Sequence, residues 1–77
     1  MCLAIPMRVD AVDRFLAQCS ARGVSREVSL FMLEEGSVSV GDQVLVHVGY
    51  AIQVISDDEA QATWEAFDEA LARGAGS

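Results

Sequence analysis

Gln43 to Ile55 reads QVLVHVGYAIQVI, and this stretch decides the fold. β-branched and aromatic residues recur through it without a proline, and Gly41-Asp42 and Ser56 bound it, as expected of β structure. Strict alternation would set Val44, Val46, Val48, Tyr50, Ile52 and Val54 on one unbroken core face. Leu45, His47, Gly49, Ala51, Gln53 and Ile55 would then form a mixed face. His47, the only histidine, falls on that mixed face, where a lone imidazole is ordinarily a surface or hydrogen-bonded residue unless further ligands converge on it. Gly49 is the place for a bulge or for close approach of another chain.

Working back toward the N-terminus, Val38 and Val40 mark a short strand before the Gly41-Asp42 turn, and Glu34-Glu35-Gly36-Ser37 breaks the pattern before it. A longer strand is expected from Val24 to Leu33, with Val24, Val28, Leu30 and Met32 sharing a face that Arg26 interrupts. Its apolar end, Leu30 to Leu33, reads as a strand covered on both sides or packed under a helix. Ala21-Arg22-Gly23 reads as a turn in which Gly23 takes a positive φ. The run from Phe15 to Ala21 is a strand that turns Cys19 inward as a small buried hydrophobe. In the first segment Leu3, Ile5, Met7, Val9 and Ala11 share one face; Cys2, Ala4, Pro6, Arg8 and Asp10 share the solvent side.

Beyond Ile55 the pattern becomes helical, over residues 57–73. Ser56 and Glu59 have capping-box spacing, the acids Asp57 and Asp58 suit the positive end of the dipole, and Gly74 follows as a terminator. Ala60, Trp64, Phe67 and Leu71 form an apolar stripe, read as closing the core, with Trp64 also able to anchor a partner. The tail 74–77 is expected to be flexible. The fold class is therefore mainly β: a single domain, 1–77, with a small OB-like barrel of about five strands over residues 1–55 and a C-terminal α-helix.

A chain of 77 residues buries roughly 60% of its unfolded surface, so its core is modest. Twelve acids against five arginines and no lysine give a net charge of −7. That balance repels phosphate backbones and anionic lipid, and makes nucleic acid or a membrane surface a poor partner. Two cysteines make no disulfide framework and no apolar run is long enough to span a bilayer, so a cytoplasmic, reduced setting is expected.

The chemistry concentrates in Met1-Cys2-Leu3-Ala4-Ile5-Pro6. Removal of Met1 would leave an α-ammonium on the residue that carries the thiol, which favours the thiolate, the form that binds soft metals. Pro6 fixes its own φ and biases Ile5 toward an extended stem. Cys2 with His47 could serve as a nucleophile and base, but no phosphate loop, CxxC pair or HExxH helix accompanies them, and an independent enzyme is disfavoured. A soft-metal site completed by a partner matches the residue types better.

MCLAIP, the Gly23-Val24-Ser25-Arg26-Glu27-Val28 segment and GDQVLVHVGYAIQVI over 41–55 together resemble the HypC/HybG/HupF family of [NiFe]-hydrogenase maturation chaperones, over residues 1 to about 71. The resemblance implies an accessory chaperone and carrier rather than an enzyme. It implies a HypD-type iron-sulfur partner and transfer of an Fe(CN)2CO unit, transiently held and shared with that partner, to the large-subunit precursor. It assigns Cys2 and His47 to the metal, makes Cys2 the contact with partner cysteines and gives Arg26 a family counterpart; Leu3, Pro6 and Trp64 are taken as further candidate partner contacts. The alternative is a metal-free interaction module acting through the barrel and helix.

Overall fold

The computed structural model describes residues 4–72. Five strands and one helix follow in order: β1 Ile5–Asp13, β2 Leu16–Ala21, β3 Val24–Ser29, β4 Gln43–His47, β5 Tyr50–Ile55 and α1 Asp57–Ala72. The strands close into a barrel in the order β1-β2-β3-β5-β4. The mainly β barrel with a C-terminal helix is the architecture expected from the sequence.

Met7, Val9, Ala17, Cys19, Val28, Val44, Val46 and Ala51 fill the interior, with Leu30 and Val38 packed among them. Cys19 is fully buried, as expected of a small apolar side chain. Alternation along β1 holds as far as Val9 and then breaks. Val9 stands opposite Cys19 and Ala11 opposite Gln18, so Asp10 is an extra residue, a bulge, and the faces exchange beyond it. Ala11, expected in the core, is exposed for that reason.

The deciding stretch departs most from simple alternation. It is a hairpin of two strands rather than one, because Val48 and Gly49 both take positive φ (54° and 82°) and reverse the chain in two residues. A second bulge at Ile52 sets Val46 against Ala51 but Leu45 against Gln53. Val44 and Val46 are therefore buried together with Ala51, and Ile55 is buried outside that cluster, opposite Gln43, whereas Val48, Tyr50, Ile52 and Val54, expected on a core face, are exposed. Conversely, residues 38–40 form no strand; Val38 drops into the barrel from a loop that the Ser39–Asp42 turn closes. Strand β3 ends at Ser29, not Leu33. The Leu30 N–H donates to the Phe15 carbonyl and the Leu33 N–H to Leu30, a turn that leaves Phe31 and Met32 outside. The count of five survives because one expected strand splits in two and another is a loop.

Val48 is the odd residue of its turn. A β-branched side chain in the left-handed region crowds its own carbonyl, and at 71% exposure it recovers little by burial. Val48→Asn should raise stability by about 1 kcal/mol, seen as a rise in the thermal midpoint of roughly 4–8 °C.

The helix begins as its sequence dictates. The Glu59 N–H donates to Ser56 Oγ at 3.0 Å and the Ser56 N–H to Glu59 Oε1 at 3.2 Å, a reciprocal cap. It runs over the outside of the barrel rather than closing its core, and covers Pro6 and the start of β1 with Ala60. Of the expected stripe, Ala60 is buried, Trp64 and Phe67 are half-buried, and Leu71 is 69% exposed. Arg22, in the β2–β3 turn, clamps it: its guanidinium donates to both Asp68 oxygens at 2.6 and 2.7 Å and stacks 4.5 Å from the Trp64 ring centroid.

Hydrogen bonding by Arg22 lowers the Asp68 carboxyl below its ordinary value of 3.8. A depressed folded value means that the clamp is fully present above the ordinary carboxylate value and is lost as pH falls through the lowered one. Fluorescence of Trp64, the only tryptophan, should therefore stay constant from pH 7 to about 4 and change below it. Asp68→Asn should show the changed signal already at pH 7.

Candidate functional site

His47 is the last residue of β4. Because Val44 and Val46 point inward, the intervening Leu45 and the following His47 lie on the outer side of the sheet, and both are half-buried. Strand β1 runs antiparallel beside it, with Ile5 opposite Val46, Pro6 opposite Leu45 and Met7 opposite Val44. The ladder ends at that Ile5–Val46 pair, one residue before His47. The start of β1 thus lies beside the end of β4 that carries the single histidine.

Met1, Cys2 and Leu3 lie outside the described residues, so the expected ligand role of Cys2 and partner role of Leu3 concern a segment whose geometry is not described. Pro6, expected at a partner surface, is instead fully buried, because α1 covers the outer face of β1. Trp64 is half-buried between Arg22 and Phe67, whose ring meets it edge-on with centroids 5.6 Å apart. Its first role is to hold the helix down, a job the sequence did not reveal, since Arg22 and Asp68 stand 46 residues apart.

The two thiols separate clearly. Burial raises the Cys19 pKa above 9.0, with the charge of Asp10 adding to the effect, so Cys19 is a poor thiolate and sits where no exogenous metal reaches it. Among the described residues no three His, Cys, Asp or Glu side chains converge as a metal set. No described helix is long and apolar enough to cross a membrane.

A small OB-like barrel with an acidic helix laid along its outside, and a histidine at the end of β4 beside the start of β1, defines a small β-barrel class. The chain belongs to the HupF/HypC family, whose model matches residues 1–67. It is 42% identical over 72 residues to the hydrogenase maturation factor HypC of Helicobacter hepaticus, covering 92% of this chain and 83% of that one. To the hydrogenase expression/formation protein HupF of Rhizobium leguminosarum it is 42% identical over 94% of this chain and 67% of the relative. The hydrogenase maturation factor HybG of Escherichia coli K12 is 41% identical, over 86% and 87%.

Proposed function

We propose that this chain is a hydrogenase maturation chaperone that takes an Fe(CN)2CO unit from a HypD-type iron-sulfur partner and delivers it to a [NiFe]-hydrogenase large-subunit precursor. Its relatives are named as hydrogenase maturation factors, which supports the maturation role. The observation that supports the site assignment is the β1–β4 register, which pairs Ile5 with Val46, the residue before His47, while Cys19 is withdrawn into the core. Cys2, exposed after removal of Met1, offers its thiolate to the iron. His47 offers an imidazole as second ligand or as a donor that orients the thiolate. Neither completes a coordination sphere alone, so the unit is shared with partner cysteines and passes from one thiolate set to the next without leaving protein.

Co-expression of the tagged chain with the HypD-type protein of the same organism, followed by purification, iron assay and infrared spectroscopy, tests this reading. Cyanide and carbonyl stretching bands on the complex are expected. A stable complex without iron or bands would instead favour a metal-free interaction module, and would direct attention to the half-exposed end of α1 around Phe67 and Leu71.

A further inference from the structure

Strand β3 is paired on one side only for most of its length. Strand β2 runs beside it from Val24 to Ser29, but β5 meets it at a single pair, Ser29 with Tyr50, reinforced by the Ser29 N–H donating to Gly49 O at 2.9 Å. From Val24 to Val28 the other edge has no ladder partner among the described residues. An open edge of this kind is a template for another strand unless something guards it.

Beside that edge lies a cleft of about 560 Å³ whose floor is Ile5, Met7, Val28 and Val46 and whose rim includes Arg26 and Val48. Arg26 stands opposite buried Cys19, so its side chain leaves β3 on the barrel-facing side, toward the cleft. The neighbouring Glu27 also borders the cleft, but it stands opposite exposed Gln18 and leaves by the other face. Arg26 also differs from the other described arginines. Arg8 pairs with Asp10, Arg14 with Glu35 and Arg22 with Asp68, whereas Arg26 has no acid partner among the described residues. In a chain of net charge −7, an unpaired guanidinium beside an apolar floor and a free strand edge is a ready carboxylate site.

We infer that this cleft docks an extended segment of a partner protein, added as a strand along Val24–Val28, with a carboxylate side chain received by Arg26 and apolar neighbours laid on Ile5 and Val46. Main-chain hydrogen bonds supply the affinity, and the alternation of apolar, acidic and apolar residues on the inward face supplies the selectivity. The exposed Val48 contributes an apolar lip to the groove. This docking requires neither iron nor Cys2, so it stands or falls separately from the carrier reading.

The probe is the peptide acetyl-Val-Thr-Glu-Thr-Val-amide, titrated into the whole 15N-labelled chain and followed by amide chemical shifts. Shifts centred on Val24–Val28, Ile5 and Val46 are expected. Replacing the peptide's glutamate by lysine, or Arg26→Gln in the protein, should weaken binding about tenfold or more, while Arg26→Lys retains most of it. Two versions N-methylated at alternate amides should differ, one losing binding and the other keeping it, because only alternate amides of an added strand face the host. Equal affinity for the lysine peptide, indifference to Arg26→Gln, retention by both methylated versions, the same shifts with acetate alone, shifts centred elsewhere, or no shifts at all would each overturn the inference.

Discussion

Cys2→Ala, co-expressed with the HypD-type partner, should give a folded protein whose complex carries no cyanide or carbonyl bands and no iron above background. The fold should be indifferent because the buried cluster is assembled from Met7 onward and its single thiol is Cys19. The chemistry should not be. Iron bearing cyanide and carbon monoxide is a soft centre that a thiolate holds and a methyl group cannot, and the second cysteine cannot substitute because burial keeps it protonated and out of reach. His47→Ala tests the same site from the other side. Its imidazole lies at the end of β4 on the outer face, so its loss should weaken or shift the bands rather than remove them, since an orienting group tunes a ligand that remains in place. Bands of full intensity from the Cys2→Ala complex would sink the carrier assignment.

The parts of the fold that were legible in the sequence are those set by neighbours in the chain. Ser56 and Glu59 announce a helix start because both halves of the cap lie within one turn. The β2–β3 turn is legible in Gly23, and β1 in its alternation up to Val9, because each needs only local geometry. The misread positions are those where tertiary demands override the local signal. Val48 occupies a left-handed turn position that sequence preference would give to asparagine or glycine, so a hairpin passes for one strand. Bulges at Asp10 and Ile52 each add one residue, which no periodicity announces, and each inverts the faces beyond it. Leu30 to Leu33 is apolar because Leu30 and Leu33 cap the barrel end, not because the segment is a strand. The site divides in the same way. Cys2 and His47 could be picked out by residue type, but that the described start of β1 runs beside the end of β4 depends on a pairing of residues some forty apart in sequence. Arg26 reads in the sequence only as an interruption of an apolar face; the unpaired edge beside it, visible only once the barrel closes at a single β3–β5 pair, gives that interruption a physical setting.

Met7→Ala should bring the domain close to unfolding. Met7 is 1% exposed, sits in the part of β1 paired with β4, faces Val44 across the ladder, and is the largest of the fully buried side chains. Truncating such a residue removes its transfer energy and leaves a cavity that a closed barrel cannot easily collapse, a loss of about 2–5 kcal/mol. A chain of this length has about 4–12 kcal/mol in total at typical per-residue stabilities, so one substitution can remove half of it. Urea unfolding should show the midpoint falling steeply with the slope unchanged. Met7→Leu, which nearly conserves volume, should cost less than about 1.5 kcal/mol. Phe31→Ala gives the contrast: Phe31 is larger but 75% exposed, touching Phe15 edge-on, and its loss should stay within about 0.5 kcal/mol. If Phe31→Ala proved as damaging as Met7→Ala, stability would reside in the loop that caps the barrel rather than in its interior. A narrow margin held by one closed layer of side chains also explains the outer helix. Bound by Arg22 and packed over Pro6, α1 covers β1 on the face the interior cannot protect, and so the strand that leads from the N-terminal stem is held from both sides.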